Sequence, residues 1–126
     1  VPRTITGIQQ NAAAVRLYPN LTFVAYEGGQ HLIAPNGPAD VVLEQLFNAV
    51  NRDPGMGALY RQLLAGWRAA GGGMFVAFAL SGPYGTGACA ACGRFAALER
   101  FDQPIATAPK YQALVAESLA FPRAIR

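Results

Sequence analysis

Asp53 to Leu80 reads DPGMGALYRQLLAGWRAAGGGMFVAFAL, and this stretch decides the fold because it changes period once and stops twice. Asp53-Pro54 opens a helix, with aspartate as the N-cap and proline at the first helical position. Met56, Leu59, Tyr60, Leu63, Leu64 and Trp67 then fall on one stripe at three- and four-residue spacing. Gly71-Gly72-Gly73 ends the helix, and Met74 to Leu80 follows as an apolar run without polar alternation. Such a run is expected of a strand buried on both faces of a parallel sheet.

The same grammar appears upstream. Leu21 to Glu27, rich in Thr, Phe, Val and Tyr, reads as a second buried strand that Gly28-Gly29 closes. Between the two strands, Leu43, Leu46, Phe47 and Val50 mark another helical face, with Asp40 near its N-terminus after the turn-forming Pro35-Asn36-Gly37-Pro38. Strand, helices and strand make a parallel crossover unit, for which a right-handed connection is expected. Before it, Ile5, Ile8, Ala12 and Val15 predict a helix that ends ahead of Pro19. After it come a glycine-rich loop, Ser81 to Gly93, and a return over Phe95 to Gln103 whose structure the pattern leaves open. A last helix from Pro109 places Tyr111, Leu114, Val115 and Leu119 toward a core and stops at Phe121-Pro122.

At 126 residues the chain is long enough for one domain and one core, so a single domain over residues 1–126 is expected. Apolar residues at 52% and charged residues at 13% leave more apolar surface than a free-standing domain of this size ordinarily carries, which predicts a partner. The net charge of +3 comes from nine arginines and a single lysine scattered along the chain, without the basic stripe that nucleic acid would require. No apolar run reaches the roughly 18 residues that would span a bilayer. The chain begins Val1-Pro2-Arg3, and an upstream leader or larger region removed before this point is the expectation.

Ligands of parallel α/β sheets gather at the carboxyl ends of the strands. There the first strand ends in Glu27, followed by Gln30 and the chain's one histidine, His31, and the loop after the second strand carries Tyr84 and the Cys89/Cys92 pair. Glu27 either serves chemistry or caps a turn. His31 either orients a carboxylate or a sugar hydroxyl, or is a loop residue with one backbone hydrogen bond. Tyr84, between glycine-rich turns, is a candidate platform for a pyranose ring, whereas Trp67 belongs to the core stripe. Cys89-Ala90-Ala91-Cys92 has the spacing of redox and zinc motifs, but its setting favours a local loop disulfide and, with it, an extracellular location. Even if His31 joined the two cysteines the set would be one ligand short of a closed zinc site, so no metal and no cofactor is expected.

FVAYEGGQHL (23–32), LFNAVNRDPGMGALYRQLLAGWRAAGGGMFVAFAL (46–80) and ALERFDQPIATAPKYQAL (97–114) together resemble the carboxyl-terminal part of secreted (β/α)8-barrel proteins related to glycoside hydrolases. The resemblance covers about Leu21 to Leu119. It implies an α/β fold, a partial (β/α) barrel with two parallel core strands and about four helices, in which Leu21–Glu27 and Met74–Leu80 stand as the seventh and eighth strands. It further implies Glu27 as the nucleophile of a retaining glycosidase, Gln30, His31 and Tyr84 as substrate contacts, and carbohydrate as the ligand. A full barrel takes about 250 residues. The first six strands, and the acid/base carboxyl group that resides on the fourth, are missing from this chain. Glu99 and Asp102 read as solvated charges on a packing return. The resemblance therefore leaves open a catalytic protein completed by another polypeptide or copy, and a non-catalytic carbohydrate-binding or self-assembling barrel fragment. In either case exposed strand edges predict a homo-oligomer or a missing barrel half as partner.

Overall fold

The computed structural model describes residues 1–33, 40–84 and 93–120. Four helices and two strands follow in the order α1 (Pro2–Val15), β1 (Ala25–Gly28), α2 (Val41–Arg52), α3 (Pro54–Ala69), β2 (Phe75–Ala77) and α4 (Pro109–Ala120), with a 3-10 turn at Ile105–Thr107. The strands pair in parallel, Ala25 beside Phe75 and Gly28 beside Ala77, and the register slips between these pairs. The ladder extends past both strands through Gly73 N–H to Phe23 O (2.7 Å) and Phe78 N–H to Gly28 O (2.9 Å). A mixed α/β architecture with a parallel crossover is thus present as the sequence predicts.

The helices begin and end where side-chain chemistry demands. Asp40 caps α2 by accepting from Leu43 N–H at 3.0 Å, and Asp53 caps α3 by accepting from Gly55 N–H at 2.7 Å ahead of Pro54. At the other end of α3, Gly71 takes φ +83°, so Gly71 N–H reaches Arg68 O (2.8 Å) and Gly72 N–H reaches Trp67 O (2.9 Å). This paired arrangement closes the helix because glycine adopts the left-handed geometry without a steric cost.

Helix α3 organises the packing. Trp67 is buried, donates from Nε1 to Gly73 O at 3.1 Å, and lies 4.5 Å from the Phe23 ring and 5.7 Å from Phe75, fastening α3 to the strands. Met56 and Tyr60 meet Ala113 of α4 in a core that Leu32 and Leu114 flank. Close approach requires Gly57, where a Cβ would stand 2.8 Å from Pro109 O. Ile5 of α1 similarly sits over Gly66.

Three expectations are corrected. The strands are shorter than Leu21–Glu27 and Met74–Leu80, and they are not buried on both faces: Val24, Tyr26, Met74, Val76, Phe78 and Leu80 are exposed, while Phe23, Ala25, Phe75 and Ala77 are half-buried. Trp67 of α3 packs on the half-buried side, against Phe23 and Phe75, while the alternating side chains on the other side are exposed. In α2, Leu46 and Val50 are exposed while Glu44 and Asn51 are buried, because this helix turns a polar face inward toward Arg94 and Lys110. Leu59 and Leu119 also lie outside the cores they were expected to enter. The return after the glycine-rich loop attaches to the chain beyond β2 at Ala97 and Leu98, whose N–H groups reach Ala79 O (2.8 Å) and Leu80 O (2.9 Å), with Leu98 bridging Ser81 in parallel. The Pro35–Pro38 turn, the Phe121-Pro122 stop and most of the Ser81–Gly93 loop lie outside the described residues.

Candidate functional site

Beyond the carboxyl end of β1 the chain bends around a cleft of about 400 Å³. Glu27 enters it from the strand, exposed and without a hydrogen bond or ion pair among the described residues. The bend depends on Gly29, with φ +151°, where a Cβ would approach Tyr60 Oη to 3.0 Å and Phe78 O to 3.3 Å. Gln30 is held from three sides. Its N–H donates to Tyr60 Oη (3.2 Å), its Oε1 accepts from Leu32 N–H (2.6 Å), and its Nε2 donates to Arg94 O. Burial pushes the Tyr60 hydroxyl above its ordinary pKa, and the Gln30 amide partly offsets this.

The opposite wall is aromatic. His31 stacks on Phe95 with ring centres 5.2 Å apart and planes 12° from parallel, and Phe95 in turn lies 5.8 Å from Phe78. Glu27, Gln30 and His31 therefore converge as the sequence predicts. Tyr84 does not join them. It is only 4% exposed, donates from Oη to Ala96 O at 2.9 Å, and lies under Lys110 Nζ at 4.6 Å and the Arg52 guanidinium at 5.8 Å. Burial first, then the nearby Glu99, raises its hydroxyl pKa. A ring so enclosed packs the core rather than presenting a face to sugar. The aromatic surface of the cleft comes instead from Tyr26 and Phe78, both exposed, and from half-buried Phe95. Phe78 was masked in the sequence by its apolar run, and Phe95 had no signal at all. Cys89 and Cys92 lie outside the described residues.

Behind the cleft lies a polar cluster that the apolar spacing concealed. Arg94, 1% exposed, donates to Glu44 through Nη2 and to Asn48 Oδ1 through Nε. Lys110, 0% exposed, donates to Asn51 Oδ1 at 2.9 Å and to Arg94 O at 2.6 Å. Burial lowers the Arg94 pKa and brings Lys110 down to about 7, against a small opposing effect of Glu99. The legible trace was Glu44, Asn48 and Asn51 at i, i+4 and i+7 of one helix, together with the only lysine.

Other carboxylates are engaged elsewhere. Glu99 forms a fork with Arg52 at 2.6 and 2.5 Å, and raises the arginine's pKa through that hydrogen bond; Glu117 pairs with Arg68, and Asp102 with Arg100 at 2.7 Å. Glu99 is thus not a free acid/base partner. Among the described residues Glu27 is the one carboxylate lining this cleft, and no group of three or more His, Cys, Asp or Glu side chains could hold a metal ion. A larger cleft of about 600 Å³ lies at the amino end of β2, beside Trp67, Met74 and the Arg68–Glu117 pair. Its place at the opposite end of the strands argues against it, since loops at carboxyl ends assemble ligand sites. The chain matches no protein-family model, no curated protein and no solved structure.

Proposed function

We propose that the Glu27 cleft is a carbohydrate site of the glycoside hydrolase type, in which Glu27 is the nucleophile of a retaining reaction. The observation that supports it is a carboxylate at the end of a parallel strand, without an ion pair among the described residues, in a cleft combining aromatic faces with an oriented amide and an imidazole. In a retaining reaction the nucleophile attacks the anomeric carbon while a second carboxyl group, about 5–5.5 Å away, protonates the leaving oxygen. Glu27 would supply the attack, His31 and Gln30 would contact hydroxyl groups, and Phe78 and Phe95 would meet the apolar face of a ring. The acid would come from a partner polypeptide, another copy or a further part of the barrel. A secreted location accords with this ligand class. Titration with soluble β-linked gluco-oligosaccharides tests the site: wild type and Glu27→Gln should both bind, and any turnover should disappear in the variant. Turnover that survives Glu27→Gln would remove the nucleophile assignment.

The uncovered sheet face favours a second reading, a non-catalytic or self-assembling carbohydrate-binding fragment. Six exposed apolar side chains from Val24 to Leu80 form a surface of the kind that protein partners cover. Among the described residues no helix is long and apolar enough to cross a membrane. Light scattering on the purified chain should give a discrete oligomer, and Val76→Lys should shift it toward monomer. A wild-type monomer at all concentrations would exclude self-assembly.

A further inference from the structure

We infer that Lys110 is a positioning residue for the Glu27 cleft, acting through the Arg94 carbonyl on which Gln30 and the Phe95–His31 wall are hung. The inference rests on the proposed reading of that cleft as a carbohydrate site, but its structural half can be measured without any ligand. The chain's only lysine is 0% exposed. Its ammonium meets an amide oxygen, a backbone carbonyl and an aromatic face: Asn51 Oδ1 at 2.9 Å, Arg94 O at 2.6 Å and the Tyr84 ring at 4.6 Å. No ion pair joins it to a carboxylate among the described residues; the nearby Glu99 and Glu44 are committed to Arg52 and Arg94.

The location gives the arrangement its consequence. Arg94 O accepts from two donors, Lys110 Nζ from inside and Gln30 Nε2 from the cleft. The shared carbonyl fixes the Gln30 carboxamide, whose oxygen then holds Leu32 N–H and orients the 30–32 segment bearing His31. One residue onward, Phe95 carries the His31 stack. An ammonium polarises a carbonyl acceptor more strongly than a neutral donor can. Lys110 thus joins α2, the return segment and α4 at the point from which both cleft walls depart. A purely structural filler of this volume would be satisfied by methionine, which cannot donate.

The test uses the intact chain labelled uniformly with 15N and 13C, with Lys110→Met and Lys110→Arg. Lys110→Met should displace the Gln30 carboxamide and His31 ring resonances and weaken gluco-oligosaccharide binding about tenfold, a change of about 1.4 kcal/mol. Lys110→Arg, which keeps a charged donor, should restore most of both. Unmoved Gln30 and His31 signals in a folded Lys110→Met protein would overturn the inference, whatever its stability. Should that variant fail to fold, the wild type provides the same decision. Lys110 faces Arg94 and Glu99 on the return and Tyr84 beyond β2, and His31 adjoins Gln30 in the cleft. The Lys110 Nζ, His31 ring and Gln30 carboxamide resonances are therefore followed together as the pH is raised. The Gln30 signal should move with Nζ; a Gln30 signal that stays flat while Nζ changes, or that follows the His31 ring instead, would overturn the inference. Absence of sugar binding by the wild type sinks the carbohydrate reading, and these resonances still decide the positioning role.

Discussion

Replacing Arg94 with methionine is expected to destabilise the chain by about 3–5 kcal/mol, the largest effect of any single substitution considered. The guanidinium is 1% exposed and engages both Glu44 and Asn48, so its removal leaves the Glu44 carboxylate, itself 7% exposed, without a counter-charge. An unpaired buried carboxylate carries a desolvation cost that no longer has an offsetting attraction. The same logic predicts a partial rescue. Adding Glu44→Leu removes the orphaned charge and should recover more than half of the loss, because a buried pair contributes little net stability against apolar replacements. Urea unfolding of the two variants measures this. An Arg94→Met cost below about 1 kcal/mol would mean that water reaches the pair and that the cluster is not sealed.

Stability should rise with pH from about 7 to about 10, by about 1.4 kcal/mol per unit, and Lys110→Met should abolish that slope. Burial brings the folded-state pKa of Lys110 from 10.5 to about 7. Within that window the unfolded chain binds a proton that the folded chain does not, so raising the pH favours the fold. Below pH 7 the cost of burying the charge is fully present. Above about pH 10 the trend should reverse, since burial holds the Tyr60 and Tyr84 hydroxyls protonated in the folded state while they ionise in the unfolded chain. Denaturant titrations across pH 6 to 10.5 test the sign. A flat wild-type profile, or the same slope in Lys110→Met, would contradict it.

Local signals were legible in the sequence wherever a single residue type carries the physics. Asp53-Pro54 marked the start of α3, the triple glycine its end and Trp67 its inward face, and each stands where it was expected. Glu27, Gln30 and His31 could be brought together because a strand followed by two glycines places its end residues on one rim. Tyr84 was misread for a physical reason: a tyrosine flanked by glycines looks exposed until tertiary contacts enclose it, and here Lys110, Arg52 and the Ala96 carbonyl do so. The inward face of α2 was hidden more deeply. A search for apolar periodicity selects Leu46 and Val50, whereas the side chains that pack are polar and are stabilised by partners about 50 residues distant in the chain, Arg94 and Lys110. No local pattern reports such pairing. The strands were read as buried on both faces because apolar runs do not state what covers them, and one side of each is exposed.

The most direct measurement for the carbohydrate reading is a residue-resolved NMR titration of the labelled chain with β-linked gluco-oligosaccharides. The account predicts saturable shifts at Glu27, Gln30 and His31 and in the Phe78 and Phe95 rings, with the larger cleft beside Trp67 and Met74 unaffected. Shifts confined to that second cleft, or none at millimolar sugar, would contradict it.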